Sequence, residues 1–244
     1  MCISKSEIYC WRILMKRSAL IVGAGAGLSS SLALQCANSG MEVALAARNI
    51  EKLDDLSAKA RASLHKCDAS KVEDVNRLFE DLDEKKRTPE LVVYNPSARL
   101  KGAIETLDPE KTKEALEITC FGAFLVAQQA AKRMLKRGSG SIFFTGASAG
   151  VKGFANSSVF AMGKFGLRGL AQALARELHP KNIHIGHFII DGGIKSNARL
   201  DRKGNGDYDM LDPDEIAKTY LQFHNQHKSA WAWEVELRPW VENF

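Results

Sequence analysis

A chain of 244 residues, 45% apolar and 26% charged, is long enough to bury one large core and reads as a single domain. Its formal charge of +5 is spread along the chain, and short clusters such as EKKR (84–87) and DRKG (201–204) are solvated surface, which argues against a nucleic-acid partner. The five cysteines, at 2, 10, 36, 67 and 120, have neither disulfide-framework nor metal spacing, and no apolar run reaches the roughly 18 residues of a membrane span. A cytoplasmic protein with no metal and no membrane partner is therefore expected.

Residues 1–14, MCISKSEIYCWRIL, lack the apolar core and small-residue cleavage site of a secretory signal. They are expected to be an N-terminal extension, disordered or preceding a true start at Met15, with the domain spanning 15–244. From Lys16 onward, short apolar runs alternate with segments of helical period, the pattern of stacked β-α-β units. The expected class is therefore α/β, a doubly wound, Rossmann-like parallel sheet with helices on both faces.

SALIV (18–22) is the first strand, and it runs directly into the glycine-rich turn VGAGAGLSSS, which opens a helix. Such a turn places the pyrophosphate of a dinucleotide on free amides at the helix start. Gly23 permits the sharp bend, and Gly27 lets backbone approach phosphate. EVALA (42–46) is the second strand. Ala47 stands near its end, where a carboxylate would suit NAD(H). A small residue followed by Arg48 instead leaves room and a guanidinium for a 2′-phosphate, which puts NADP(H) ahead of NAD(H).

Ile50, Leu53, Leu56 and Ala60 give the next helix its apolar face, SLHKC (63–67) is a weaker strand, and Val72, Val75, Leu78, Phe79 and Leu82 stripe a third helix. LVVY (91–94) and SIFFT (141–145) are buried strands flanking a long helix at about 111–136. A second long helix, 158–178, stops before Pro180, and IHIGHFII (183–190) is the next strand, with His187 as a satisfied core histidine. Residues 200–209, LDRKGNGDYD, are expected to be disordered. Asp212 caps a helix with Pro213 at its first position and Glu215 in reach of a reciprocal bond, and AWAWEVEL (230–237) is a last strand.

With these pieces in line, the chain resembles the short-chain dehydrogenase/reductase family over roughly residues 16–240. The family's Thr-Gly-x-x-x-Gly-x-Gly is similar to Val22-Gly23-Ala24-Gly25-Ala26-Gly27-Leu28-Ser29, with Ser29 in the last glycine's place. Its adenine-contacting acid matches Asp68, its Asn-Asn-Ala-Gly survives as Asn95, and its Pro-Gly-x-Val-x-Thr resembles Asp191-Gly192-Gly193-Ile194-Lys195-Ser196. The resemblance therefore implies cofactor binding by Gly23, Gly25, Gly27, Leu28, Arg48, Asp68, Asn95, Lys164, Gly192 and Ile194.

The same resemblance implies an incomplete catalytic tetrad. The asparagine falls on Thr119, the serine on Ala147 and the tyrosine on Phe160, and Lys164 alone remains. Lys164 keeps the role of holding the nicotinamide ribose. Ser148, one residue past the serine position, is the candidate proton donor, with Thr119 and Tyr208 as further hydroxyls. The tyrosine seven residues before lysine found in divergent enoyl reductases is Ser157 here.

General acid catalysis contributes typically ~10²–10⁴ in rate, and proximity a comparable or larger factor, so the loss of the phenol does not exclude hydride transfer. The expected activity is an NADP(H)-dependent oxidoreductase acting on a small-molecule substrate, with imines or activated alkenes as the best acceptors. The alternative is a catalytically silent NADP(H)-binding protein without a substrate. The resemblance also implies a homodimer or homotetramer built on the two long helices. Ala123, Ala127, Ala130, Ala131, Gly166, Gly169, Leu170, Ala173 and Leu174 are the expected contact, supplemented by the three tryptophans of WAWEVELRPWVENF.

Overall fold

A computed structural model of the chain describes residues 17–196 and 208–241. The expected N-terminal extension and most of the segment 200–209 lie outside the described residues. Seven strands form one parallel sheet in the order β3-β2-β1-β4-β5-β6-β7: β1 Ser18–Val22, β2 Glu42–Ala47, β3 Ser63–Lys66, β4 Leu91–Tyr94, β5 Gly140–Thr145, β6 Ile183–Ile190 and β7 Glu234–Leu237. The helices are α1 Leu28–Asn38, α2 Asp54–Ala60, α3 Val72–Glu84, α4 Pro109–Leu116, α5 Gly122–Arg137, α6 Ser158–Leu178 and α7 Pro213–His224.

The strands are near-continuous apolar runs because both faces of the sheet are covered. Alternate residues serve opposite cores. Leu20, Val22, Val92, Tyr94, Ile142 and Phe144 pack with α3, α5 and α6. Ala19, Ile21, Leu91, Val93 and Phe143 pack with α1, α2 and α7 on the other side. The sheet is doubly wound, as the alternation of apolar runs and helical periods implied.

Several local expectations change. Val72 opens α3 but is 42% exposed, so the buried stripe is Val75, Leu78, Phe79 and Leu82 alone. The long helix predicted at 111–136 is α4 and α5 joined by a π-helical turn, Glu117–Phe121. Tyr94 donates its hydroxyl to the Ile118 carbonyl in that turn, and Gly122 approaches Tyr94 and Ala69 so closely that a Cβ would collide with both. The wide turn is thus held by a buried phenol from the sheet. Asp212 caps α7 by accepting from the Asp214 amide, whereas the Glu215 carboxylate pairs with Lys218 at 2.6 Å instead of completing a reciprocal bond.

β7 is shorter than AWAWEVEL because Trp231 turns inward. Its ring stacks on His184 at 4.5 Å and its Nε1 donates to the Gln226 carbonyl. Trp233 packs against the core, with the Arg168 guanidinium 5.6 Å from its ring centroid, and only Trp240, 80% exposed, projects outward. Two of the three tryptophans expected between subunits are thus half-buried and make contacts within the chain, with β6 and α6. Of the five alanines expected to meet a second chain, three are buried, Ala131 is half-buried and Ala173 is exposed. Ala123, Ala127 and Ala130 are buried against the chain's own core, and Gly166 faces Cys120, where small side chains let α5 and α6 sit close.

His187 is fully buried and donates from Nδ1 to Glu234 Oε2 at 3.0 Å, while Arg168 grips the same carboxylate at 2.7 and 2.8 Å. It is core as expected, but not fully satisfied, since its Nε2 has no partner. Burial pushes the His184 and His187 imidazoles down to about 4, outweighing the favourable Glu234 contact at His187. Between about pH 6.5 and 4 the unfolded chain takes up protons that the native state refuses, so stability falls as pH drops through that window. Each such histidine contributes about 1.4 kcal/mol per pH unit below its unfolded pKa. Together they lose about 3.7 kcal/mol between pH 7 and pH 5, so the melting temperature should be lower at pH 5 by roughly 7–15 °C, given about 2–4 °C per kcal/mol at this chain length. Identical melts at the two pH values, read by circular dichroism, would contradict this.

Candidate functional site

β1 and β4 are neighbours, but the chain leaves them toward opposite edges of the sheet, which opens a crevice beyond Val22 and Tyr94. Two loops meet there. Gly23 has φ +78°, and a Cβ on it would lie 2.7 Å from Pro96 Cγ. Asn95 donates its amide to Ser29 Oγ at 2.7 Å, and Ser29 donates to the Gly23 carbonyl at 3.0 Å. Ser29, in the last glycine's place, is thus a hydrogen-bonding bridge between the loops.

The glycine turn leaves room in front of it. A Cβ on Gly25 would meet nothing within 4 Å, and Gly27 bends at φ +85° into α1. Leu28 starts that helix with its side chain buried, and no side chain caps its first amides nor does any acid stand in its first turn. These amides are donors suited to an anion. Arg48 follows β2 as an exposed cation, beside Ala47. The Cys67 amide donates to the Ala47 carbonyl at 3.0 Å, so Arg48 and Asp68 stand at neighbouring strand ends. Asp68 Oδ1 accepts from the Ser70 amide and hydroxyl, which fixes the carboxylate in a turn.

At the carboxyl end of β5 lies the second group. Lys164 is 2% exposed, and its Nζ donates to the Thr145 carbonyl at 2.7 Å. Burial, with a smaller contribution from the Arg99 charge, pulls its amine from the usual lysine range down to about 7. Phe160, one turn earlier on α6, is buried in a small apolar cluster with Ala147 and Ala149. Ser148 begins the short 3-10 turn Ser148–Gly150 and is half-buried. Thr119 is 1% exposed and accepts from the Ala98 amide at 3.0 Å, so its hydroxyl is a strut of the loop after β4. Tyr208 is 72% exposed, with Lys195 5.9 Å from its ring centroid. Gly192, at φ +149°, abuts Pro239, and Ile194 bridges to Leu211.

The structure therefore gathers Gly23, Gly25, Gly27, Leu28 and Asn95 at one end of the crevice and Arg48 with Asp68 at the ends of β2 and β3. Lys164 stands at β5, and Gly192 and Ile194 beyond β6. This lining suits a dinucleotide: uncapped amides and open space for phosphates, a guanidinium at the β2 end, and a buried amine at β5. Sequence reasoning missed Arg99, whose Cζ lies 4.2 Å above the Phe160 ring. Its only signal was a basic residue four positions past Asn95.

The family model described as short chain dehydrogenase matches residues 17–203 of this chain. A sepiapterin reductase from Chlorobaculum tepidum is 27% identical over 92% of this chain and 97% of its own. Among solved structures, a short-chain dehydrogenase from Rhodopseudomonas palustris is 31% identical, with a TM-score of 0.79 over 92% of this chain and 99% of that one. A metagenomic short-chain oxidoreductase in complex with NADP shares the fold at 22% identity and a TM-score of 0.79, over 92% of this chain and 98% of its own.

The two glycines should separate packing from binding. Gly23→Ala forces a Cβ into Pro96 at positive φ and should destabilise the fold by about 1–3 kcal/mol. Gly25→Ala meets no protein atom, so its melting temperature should match the parent's while its affinity for NADPH falls about tenfold or more. Loss of stability in Gly25→Ala, or undiminished NADPH affinity there by calorimetry, would contradict the assignment.

Proposed function

Because the chain belongs to the short chain dehydrogenase family, we propose that it is an NADP(H)-dependent oxidoreductase that works without the family's phenol. The observation that carries this reading is the buried Lys164 amine beside Phe160 at one end of a crevice whose other end is a glycine turn over an uncapped helix. When bound, the nicotinamide supplies or takes the hydride. The chain's own residues bind and orient it. The turn at Gly23, Gly25 and Gly27 and the first amides of α1 hold the phosphates, with Leu28 closing the helix start into the core. Asp68 stands at the adenine end. Asn95 keeps the turn in place through Ser29. Gly192 and Ile194 close over the nicotinamide end.

Lys164 holds the nicotinamide ribose. With an amine at about 7, it changes charge near neutral pH. Phe160 and Ala147 offer the acceptor a dry wall and no proton, so the proton comes from Ser148 or from water. Acceptors already polarised, such as imines or activated alkenes, suit such a site best.

Arg48 gives the preference for NADP(H). A guanidinium paired with the 2′-phosphate contributes about 1.5–3 kcal/mol, or roughly 10- to 150-fold. NADPH should therefore bind at least tenfold more tightly than NADH, Arg48→Ala should remove most of that gap, and NADPH should be oxidised with at least one member of a panel of ketones, quinones, imines and enones. Equal affinities in the parent protein would remove the 2′-phosphate assignment. Tight NADPH binding with no oxidation across the panel would point to a silent cofactor-binding protein.

A self-associated state completes the proposal. Phe121, Phe124, Met162 and Phe165 are each between 42% and 54% exposed on the α5 and α6 face, where a shallow groove of about 620 Å³ opens between α4 and α6. Four large apolar side chains on one helical face favour burial against a second copy. Light scattering at micromolar protein should give at least twice the chain mass, and Phe121→Glu with Phe165→Glu should give a monomer. A monomeric parent would refute the claim.

A further inference from the structure

A second cleft, of about 370 Å³, opens at the amino ends of β6 and β7, at the opposite end of the sheet from the crevice beyond Val22 and Tyr94. Two short 3-10 turns flank it, His179–Lys181 after α6 and Lys228–Ala230 before β7, and Trp231 follows the second turn. Its size falls within the roughly 300–1,000 Å³ of small-molecule sites.

The donors of this cleft follow from where the sheet stops. β7 begins at Glu234, and at its start the His187 amide donates to the Trp233 carbonyl. Two residues earlier on β6, the Ile185 amide faces the same edge before β7 has begun, and it donates to His179 Nε2 at 3.1 Å. The Ile185 carbonyl stands 3.2 Å from the same nitrogen, but a backbone amide can only donate, so Nε2 is the acceptor. Burial lowers the His179 imidazole, so the ring is neutral at pH 7 and its proton sits on Nδ1, which has no partner among the described residues. Asn182 is tied to the Gly138 carbonyl and the Ser229 hydroxyl to His227 Nδ1, each at 2.8 Å. Lys228 is exposed and makes no ion pair among the described residues, whereas Lys181 on the facing turn is answered by Glu177 at 3.6 Å. No Asp or Glu is among the described residues that line the cleft.

Trp231 supplies the apolar part. Its ring lies parallel to His184 at 4.5 Å, meets the His179 ring edge-on at 5.3 Å, and spends its indole N–H on the Gln226 carbonyl. What it presents to the cleft is therefore ring surface, with Pro180 beside it.

We propose that this cleft binds a small aromatic anion, its charge between Lys228 Nζ and His179 Nδ1 and its ring against Trp231 and Pro180. A cation with no acid beside it and a fixed N–H donor select a negative group, and the indole selects a flat apolar body. The assignment is independent of the oxidoreductase reading, since the cleft shares no residue with the cofactor crevice.

The test is calorimetry on the full chain with phenyl phosphate and benzoate, with phenol and benzamide as their uncharged counterparts and inorganic phosphate as an anion without a ring. At least one aromatic anion should bind with a Kd of about 1 mM or tighter. It should bind about fivefold or more tightly than its uncharged counterpart and than inorganic phosphate. Which of the two binds better tells whether the cleft takes a phosphate or a carboxylate. Lys228→Gln should remove the preference at an unchanged melting temperature, and Lys228→Arg should keep it. In protein labelled with ¹⁵N-histidine, the His179 Nδ1 resonance should move on binding in the parent and stay in place in Lys228→Gln. Binding of neither aromatic anion, a preference that survives in Lys228→Gln, or inorganic phosphate bound as tightly as the aromatic anions would overturn the proposal. So would displacement of the probe by NADP⁺, which would put the probe in the cofactor crevice.

Discussion

Two hydrogen bonds in series, from Asn95 to Ser29 and from Ser29 to the Gly23 carbonyl, tie together the loops that leave β1 and β4. The site depends on that tie. At the switch point the two strands are hydrogen-bonded neighbours, but their loops diverge past the last ladder bond, from the Asn95 amide to the Val22 carbonyl. With the loops joined, Pro96 can pack on the bare Cα of Gly23, and the same segment carries Arg99 back over α6 to Phe160. One short polar chain thus sets the glycine-turn end of the crevice and the Phe160 end together.

The acceptor end shows how a substituted site remains ordered. A phenol paired with lysine would place two interacting polar groups on α6. Phe160 instead completes an apolar cluster with Ala147 and Ala149, leaving the Lys164 amine to the Thr145 carbonyl. Burying an ammonium with one hydrogen bond is costly, and the drop of its amine to about 7 is the expression of that cost. Around it the polar groups are fully employed in structure: Thr119 as an acceptor for Ala98, Thr145 Oγ1 with the Tyr220 hydroxyl, and Tyr94 with the π turn. Rigidity at this end comes from these buried bonds.

Sequence legibility tracked how local each feature is. Strand runs and helix stripes follow from side-chain period, so β1, β2, β4, β5 and β6 and the helix 158–178 were readable nearly to the residue. The glycine turn was readable because positive φ at Gly23 and Gly27 leaves few alternatives. The contacts of the α5 alanines were not. A stripe of alanines reads equally as a contact for a second chain or for the chain's own sheet, and the close packing of α5 on the core chose the second. The exposed apolar set, Phe121, Phe124, Met162 and Phe165, is drawn from the π turn, α5 and α6, and no periodic pattern announces that turn.

What the sequence determined alone was therefore the doubly wound sheet, the glycine turn at the switch point and the place of Lys164, since each is written in residues a few positions apart whose geometry is local. What only the tertiary structure decided was which distant residues share a wall. Arg99 stands 61 positions before Phe160 in the chain, Ser29 is 66 from Asn95, and Trp231 is turned inward by His184. Such pairings depend on strand order and loop closure. The free energy that selects them comes from burial and from hydrogen bonds between elements, and neither is carried by any one stretch of the chain.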